Sequence, residues 1–414
     1  MTKKKLITYL SEFTLNDSNT DFGSKRTIVD YFESGEIKIP KFINEFWTAK
    51  QRQNNPIHEV SYRACFKAEL PRFFINLLTK KNEVVYDPFS GRGTTIIEAA
   101  LLNRYIIAND INPLSTILSR PRLFIPSYAE VEQRLNEIGF KSELRADIDL
   151  SMFYHPDTES EIVSLRNYLI KKKKNKAEDF IDNWIRMVAT NRLTGHSKNF
   201  FSVYTLPPNQ AVTSERQKRI NELRNQVPSY KSVKNIILKK TRDLTFGLNH
   251  KSINKLKKIG ENSLFLNEDA RFVSGIKNNS VHLTVTSPPF LDIVNYVEDN
   301  WLRCWFNNIN AKKISKKLTI TRKLNDWKNA MGQVFAELYR ITNNNGYVAF
   351  EVGEVRKGTV RLDEHIAPLG IEAKFQPLGI LINLQNFTKT ANIWGVNNNV
   401  IGTNTNRIVI FKKN

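Results

Sequence analysis

The segment VTSPPF, residues 285–290, carries side chains that could hold an amino group on a flat ring. Proline has no N–H and a fixed φ, so a Pro-Pro pair is stiff and leaves its carbonyl oxygens free as acceptors. The Ser287 hydroxyl and the Pro288 carbonyl can therefore both accept hydrogen bonds from a primary amine. Pro289 stiffens the turn, and Phe290 offers a ring on which a heterocycle can stack. An adenine or cytosine base fits this set, and the alternative is an ordinary strand-to-loop turn.

The glycine-rich segment YDPFSGRGTT, residues 86–95, follows an apolar run and could approach a ligand closely. Gly91 and Gly93 allow a tight turn in which no Cβ blocks the backbone. The segment lacks the lysine of a phosphate-binding P-loop and the third glycine of a dinucleotide fingerprint. It remains compatible with a nucleoside cofactor that has no pyrophosphate, such as S-adenosylmethionine. A plain loop is the alternative.

Two carboxylates stand at the ends of the next two apolar runs. Asp110 ends YIIAND about 20 residues after the glycines, where folds of this kind hydrogen-bond a ribose hydroxyl. Asp269 ends SLFLNED, which should place it at the adenine end of the same pocket. Either acid could instead cap a helix. Their positions at successive strand ends favour the pocket.

The elements that must position these residues alternate between apolar runs and helical stretches. EVVYD leads through the glycine turn into TTIIEAALL, and YIIAND follows, which predicts strand, turn, helix and strand. Further strand-like runs lie at residues 263–269, 280–287, 346–355, 379–387 and 406–413. This order predicts a doubly wound α/β domain, whose ligands bind at the carboxyl ends of the strands.

The positive charge of the chain is concentrated in one region. The formal net charge is +21, and residues 161–260 contain 22 Lys and Arg against 7 Asp and Glu, a net +15. A local surplus of this size is typical of proteins that bind nucleic acid. A generally basic proteome is the alternative. The region belongs to a charged stretch of helical pattern, residues 119–260, between the second and third predicted strands.

Composition argues against several other classes. No apolar run is long enough to span a bilayer, and MTKKKLITYLSEF has too short an apolar part for a secretory signal. Cys65 and Cys304 are the only cysteines and lie far apart, so we expect no disulfide scaffold and a reducing cytoplasm. The six histidines show no ligand spacing, so we expect no metal site.

Together, the segments DPFSGRGTT, ANDINP, NEDAR and TSPPF resemble the cofactor and catalytic motifs of bacterial DNA amino-methyltransferases, which methylate an exocyclic base nitrogen with S-adenosylmethionine. YRACFKAELP, residues 62–71, is similar to the segment that completes the methionine side of the cofactor pocket in that family. The resemblance covers most of residues 55–411. It implies a Rossmann-like class I methyltransferase sheet, mostly parallel with an antiparallel last strand, and an inserted, mostly helical basic lobe.

The resemblance also implies which residues form the site. The cofactor-binding set comprises Tyr62, Phe66, Asp87, Pro88, Phe89, Ser90, Gly91, Gly93, Thr94, Thr95, Asp110, Ile111, Asp269 and Ala270. The catalytic set comprises Ser287, Pro288, Pro289 and Phe290. No metal takes part.

Four segments follow from this assignment. Residues 1–55 form an extension predicted to be mostly helical, with a helical stretch around KRTIVDYF. Residues 56–118 form the first, cofactor-binding part of the catalytic domain, and residues 261–414 form its second part. The basic insertion, residues 119–260, is the expected target-recognition region.

Serine before the two prolines is, in the resembled family, the usual choice in enzymes that methylate cytosine N4. This favours N4 methylation of a cytosine flipped out of double-stranded DNA, by a monomeric modification enzyme of a restriction-modification system. A cognate restriction endonuclease encoded nearby is a partner that this class allows. The alternatives are adenine N6 in DNA, a guanine amino group in RNA, and a nucleic-acid-binding regulator without turnover. Carbon-5 methylation is disfavoured, because it needs a cysteine nucleophile, usually after a proline, and Cys65 and Cys304 follow Ala64 and Arg303.

Overall fold

A computed structural model describes residues 2–15, 26–47, 55–63, 65–206, 211–289, 291, 296–316, 321, 323–356, 359–384 and 405–414. The strands are β1 (Ile28–Ser34), β2 (Ile37–Asn44), β3 (Val84–Asp87), β4 (Tyr105–Asn109), β5 (Leu264–Leu266), β6 (Val281–Thr286), β7 (Thr342–Val352), β8 (Glu354–Val355), β9 (Val360–Arg361), β10 (Gln376–Leu384) and β11 (Thr405–Lys412). The helices are α1 (Lys3–Ser11), α2 (Glu69–Leu78), α3 (Thr94–Leu101), α4 (Leu114–Ser119), α5 (Tyr128–Glu137), α6 (Pro156–Lys174), α7 (Phe180–Arg192), α8 (Ser214–Leu223), α9 (Val233–Thr245), α10 (His250–Glu261), α11 (Tyr296–Asp299), α12 (Trp301–Phe306), α13 (Ala311–Ser315), α14 (Leu324–Ile341) and α15 (Leu362–Glu372).

Among the described residues, nine strands form one sheet in the order β1-β2-β10-β11-β7-β6-β3-β4-β5. β5, β4, β3, β6 and β7 run parallel to one another, and β11 lies antiparallel between β7 and β10. The chain winds outwards from β3 to β5 and then continues at β6 on the other side of β3. Because the strand order reverses there, a crevice forms at the carboxyl ends of these strands. The predicted doubly wound, Rossmann-like α/β fold is confirmed.

Both faces of the central strands of the sheet are buried. Val85 of β3 belongs to one hydrophobic core and its neighbour Tyr86 to the other. Ala349 and Phe350 of β7 divide in the same way. Successive side chains of a strand point to opposite faces, so a strand covered on both sides reads as a continuous apolar run. This is why the central strands were predictable.

The prediction that residues 1–55 are mostly helical is wrong. α1 is helical, but KRTIVDYF contributes to β1, which pairs antiparallel with β2. A two-residue turn with Gly35 at φ +60° joins the two strands, and β2 pairs in parallel with β10. β-branched and aromatic residues on both sides of a glycine turn favour a hairpin over a helix. The hairpin therefore widens the sheet.

The inserted segment between β4 and β5 is helical and packs onto the sheet. Trp184 of α7 and Ile237 of α9 lie in the same hydrophobic core as Val85 of β3 and Leu283 of β6. Each inserted helix has an apolar face that needs cover, and one face of the sheet supplies it. The insertion thus shares its core with the cofactor-binding strands.

Candidate functional site

A pocket lies at the carboxyl edge of the sheet. It brings together the predicted residues Tyr62, Phe66, Asp87, Pro88, Phe89, Ser90, Gly91, Thr94, Asp110, Ile111, Asp269, Ala270, Ser287 and Pro289. Gly93, Thr95 and Pro288 are described but do not line it, although each adjoins a residue that does. Phe290 lies outside the described residues.

The Asp110 carboxylate is hydrogen-bonded to the backbone of the glycine loop. Its Oδ2 accepts a hydrogen bond from Gly91 N at 2.9 Å, and its Oδ1 accepts one from Asn112 N at 2.9 Å. Gly91 has a φ of +50°, in the region that favours glycine. Burial raises the pKa of Asp110 to about 6, although both hydrogen bonds favour the charged form. Each oxygen keeps a further lone pair for a ligand hydroxyl.

Two predicted residues beside the pocket shape the loop. Gly93 has a φ of +78°, and a Cβ there would lie 2.5 Å from Cβ of Ser119. Thr95 Oγ1 donates to the Val285 carbonyl at 3.1 Å. This bond ties the first turn of α3 to β6, the strand that delivers Ser287.

Asp87 ends β3, and its buried carboxylate joins neighbouring segments. Its Oδ1 accepts hydrogen bonds from Thr286 Oγ1 at 2.6 Å and from Phe89 N at 3.1 Å. The Asp87 carbonyl accepts a hydrogen bond from Ser90 Oγ at 2.8 Å. Burial raises the pKa of Asp87 to about 7, while the bonds from Thr286 and Phe89 act in the opposite direction. An acid that titrates near neutrality inside a pocket is a candidate functional group.

The turn after β5 builds another part of the pocket. Asp269 accepts hydrogen bonds from Arg271 N at 3.0 Å and from the Arg271 guanidinium at 2.5 Å. Partial burial alone would raise the pKa of Asp269, but these bonds outweigh it and lower the pKa. Asn109, at the end of β4, donates to the Glu268 carbonyl at 3.0 Å and accepts from Glu268 N at 2.9 Å. The sequence alone does not single out Asn109, and its place just before Asp110 is the only signal.

Ser287 follows β6, and its hydroxyl interacts with the carboxylate of Glu351, near the carboxyl end of β7, in the sense that lowers the pKa of Glu351. Glu351 is buried, and its Oε1 also accepts from Asn406 Nδ2 at 3.0 Å. Burial raises the pKa of Glu351, and the hydrogen bonds from Ser287 and Asn406 oppose this rise. The Ser287 hydroxyl has two lone pairs, so Oγ can accept a hydrogen bond from an incoming donor. An acid within the apolar run GYVAFEV was the available sequence signal.

Tyr62 packs its ring against the glycine loop, so that a Cβ on Gly91 would lie 3.5 Å from Tyr62 Cε1. The carbonyl of Ser61 accepts a hydrogen bond from the Arg303 guanidinium at 3.1 Å. The Arg303 guanidinium also lies over the Tyr62 ring, 5.7 Å from its centroid. α12, which follows the TSPPF segment in sequence, therefore contacts the irregular segment that carries Tyr62.

One wall of the pocket comes from α14, which the sequence alone does not assign to the site. Its lining residues are Trp327, Ala330, Met331 and Val334. Their spacing of three and four residues places them on one helix face. In the sequence this stripe is indistinguishable from an ordinary core stripe. The other lining residues that were not predicted are Cys65, Arg92, Asn112 and Arg271.

Both guanidinium groups of the pocket are engaged by protein acceptors. Arg92 donates to Thr94 Oγ1 at 3.1 Å and to the Val60 carbonyl at 3.0 Å. Arg271 is paired with Asp269. The pocket thus presents carboxylates, backbone groups and apolar side chains to a ligand. Because both of its guanidinium groups already bind protein acceptors, these groups suit a nucleoside better than a negatively charged pyrophosphate.

Within the described ranges, no group of three or more His, Cys, Asp or Glu side chains could hold a metal ion.

None of the helices in the part of the chain that the structure describes is long and apolar enough to cross a membrane.

Comparisons with known proteins point to one class of enzyme. Residues 8–115 match a family model described as DNA methylase. The chain is 26% identical over 302 residues to the Type II methyltransferase M.MvaI of Kocuria varians, covering 65% of this chain and 60% of that protein. It is 23% identical over 291 residues to the Type II methyltransferase M.BsoBI of Geobacillus stearothermophilus, covering 63% and 55%. The chain therefore spans less than two thirds of the length of these curated relatives.

Among solved structures, a candidate DNA modification methylase of Thermus thermophilus in complex with S-adenosyl-L-methionine aligns with 35% of this chain and 53% of that chain. The identity is 19% and the TM-score is 0.22, so this likeness adds nothing to the fold described above.

Proposed function

We propose that this protein is an S-adenosylmethionine-dependent methyltransferase that modifies an exocyclic amino group of a base in duplex DNA, with cytosine N4 as the favoured target. The observation that carries the proposal is that Ser287 and Pro289 line the same pocket as Gly91, Asp110 and Asp269. Methyl transfer needs an amine-binding group and a nucleoside cofactor site within one crevice. The matches to a DNA methylase family and to two Type II methyltransferases support the same class.

The residues of the pocket fit S-adenosylmethionine. Gly91 leaves a cradle beside the Tyr62 ring that a Cβ would narrow. Asp110 would accept hydrogen bonds from the ribose hydroxyls, and Asp269 would bind at the adenine end. Tyr62 and Phe66 would enclose the methionine part. When bound, this cofactor supplies a methyl group on a positively charged sulfur.

Ser287 and Pro288 would hold the target amine. An exocyclic amine is a weak nucleophile because its lone pair is delocalised into the ring. When its two hydrogens are accepted by the Ser287 hydroxyl and the Pro288 carbonyl, the nitrogen is drawn toward tetrahedral geometry and its developing positive charge is eased. Glu351 would support this role by accepting a hydrogen bond from the Ser287 hydroxyl, which leaves the serine lone pairs for the amine. Phe290, which lies outside the described residues, would stack on the base.

A base paired within a duplex cannot enter such a pocket, so the target would flip out of the helix. Lys171, Lys173 and Lys174 at the end of α6 are exposed and belong to the region with a net charge of +15. They would contact phosphates, which makes affinity fall steeply with salt concentration. Residues 119–260 would read the target sequence.

Such an enzyme would act as the modification component of a restriction-modification system. A monomer suffices, because it can visit each strand of a symmetric site in turn. A restriction endonuclease with the same target would be its functional partner.

The test is to incubate the chain with methyl-labelled cofactor and either unmethylated duplex DNA or RNA, digest the nucleic acid and identify the methylated nucleoside. We expect N4-methylcytosine. Detection of N6-methyladenine would mean that the target base is adenine and not cytosine. Label in RNA alone, or in no nucleic acid, would refute the proposal.

Ser287→Ala should remove most of this activity. Ser280→Ala is the matched control, because the Ser280 hydroxyl donates to the Lys277 carbonyl at 2.7 Å, just before β6 and away from the pocket. This control should keep wild-type activity.

A further inference from the structure

We infer that Trp327 is a positioning residue whose indole N–H fixes the catalytic turn through the carbonyl of Pro289. This inference rests on the proposed function. Trp327 Nε1 donates to the Pro289 carbonyl at 2.9 Å, from α14 to the turn that follows β6. Both residues line the pocket, so the bond joins two of its walls.

The two prolines explain why this turn needs a donor from elsewhere. Pro288 and Pro289 remove two consecutive backbone N–H groups, so the turn has few donors of its own. The peptide bond between the prolines is planar, and the ring fixes φ of Pro289. Only ψ of Pro289 is then left to rotate between the two carbonyl groups. By holding the Pro289 carbonyl, Trp327 fixes that angle and with it the direction of the Pro288 carbonyl.

The Trp327 side chain is buried. Its side chain is 2% exposed, and the residues on the same face of α14, Ala330, Met331 and Val334, line the pocket with it. A buried indole N–H normally finds a hydrogen-bond acceptor. Here the acceptor belongs to the catalytic turn. A cofactor seated against this wall would therefore contact the same side chain that orients the amine acceptors.

The test is Trp327→Phe, which keeps an aromatic ring and removes the donor. We expect kcat to fall about fivefold to tenfold, the factor that corresponds to one lost hydrogen bond. We expect the Kd for the cofactor to change less than about twofold, because the ring is retained. Trp301→Phe is the matched control, since it removes an indole bond of 3.1 Å to the Val212 carbonyl outside the pocket lining. Its kcat should match the wild type.

A second readout needs no turnover. Cofactor binding should change the tryptophan fluorescence of the wild-type protein and of Trp301→Phe, and most of this change should be missing in Trp327→Phe. If Trp327→Phe does not fold, Trp327→Leu serves the same purpose, because leucine is apolar and has no hydrogen-bond donor.

A purely structural role for Trp327 would lower the unfolding midpoint and leave kcat per cofactor-binding site unchanged. A wild-type kcat in the folded variant would therefore overturn the inference and leave the proposed function standing. A wild-type protein that methylates no DNA would overturn both.

Discussion

The hydroxyl of Thr286 donates a 2.6 Å hydrogen bond to the Asp87 carboxylate, and this bond links the last residue of β6 to the last residue of β3. Both side chains are buried. The bond therefore fixes the strand end that bears Ser287 against the strand end that begins the glycine loop.

Thr286→Val keeps the shape of the side chain and removes this donor. We expect the free energy of unfolding to fall by about 1–3 kcal/mol, because a buried carboxyl loses a partner. Urea unfolding measures the change. Thr284→Val is the matched control, since Thr284 is buried two residues earlier on β6 and its hydroxyl has no partner among the described residues. This control should be neutral or stabilising, and equal losses in the two variants would contradict the prediction.

Cofactor affinity should depend on pH. Asp87 and Asp110 have pKa values raised by burial to about 7 and about 6. A sulfonium cation favours their ionised forms, whereas S-adenosylhomocysteine is uncharged at sulfur. Between about pH 5 and pH 8, calorimetry should show affinity rising more for S-adenosylmethionine than for S-adenosylhomocysteine. Asp87→Asn should reduce the difference between the two ligands in how affinity depends on pH. Asp326→Asn, an exposed change on α14, is the control and should preserve that difference. If affinity for both ligands changed equally with pH, ionisation of these carboxylates would not be coupled to the sulfonium charge.

The stability of the free protein should change with pH in the opposite sense. The folded-state pKa of Asp87 lies above the value of 3.8 expected in the unfolded chain. The folded protein therefore keeps a proton that the unfolded chain loses, and the free energy of unfolding falls as pH rises from about 4 to about 7. Asp87→Asn should flatten this part of the profile. Urea midpoints at several pH values measure it, and an unchanged slope would show that Asp87 is already ionised in the folded state.

The two thiols should differ in reactivity. Cys65 is exposed and lines the pocket, whereas Cys304 is buried and burial raises its pKa to about 11. A maleimide should therefore label Cys65 first, and S-adenosylmethionine should slow this labelling about tenfold or more at saturation. Mass spectrometry of digested protein identifies the modified residue. The maleimide should inactivate Cys304→Ser as it does the wild type, whereas Cys65→Ser should keep its methyltransferase activity. If the maleimide labelled Cys65 at the same rate with and without cofactor, Cys65 would lie outside the cofactor site.

Glu351→Gln should impair catalysis through Ser287. The amide is a poorer acceptor for a hydrogen bond from the Ser287 hydroxyl, and a typical hydrogen bond contributes about 0.5–1.5 kcal/mol, which corresponds to about a twofold to tenfold fall in kcat. Cofactor affinity should change little. A double-mutant cycle is the control: in a Ser287→Ala background, Glu351→Gln should cause almost no further loss. Additive losses would mean that Glu351 acts independently of Ser287.

The sequence was most informative at the strand ends. Gly91, Asp110, Asp269 and Ser287 each follow a recognisable apolar run, and a parallel sheet brings such ends to one edge, so their assembly in one pocket was predictable. Glu351 was not, because it lies within an apolar run and reaches Ser287 only through the pairing of β6 with β7.

Other features could not be predicted from the sequence pattern either, because they depend on tertiary packing. Trp327 lies on a helical stripe that could face any core, and its bond to Pro289 depends on how α14 packs. The hairpin of β1 and β2 was misread as helix because β1 is mostly exposed and lacks the continuous buried apolar run of the central strands, and the pairing of β2 with β10 spans more than 300 residues.

The common core of the inserted helices and the sheet limits which changes to the insertion the fold can accept, and under the proposed function it also limits how target preference can be re-engineered. Trp184 and Ile237 belong to the same continuous hydrophobic core as Val85 and Leu283, so excising the insertion or grafting one from a relative would remove residues from the core that also contains the strand of the glycine loop. If these helices read the target as proposed, new specificity is better sought by substituting their exposed side chains, which leaves the shared core unchanged.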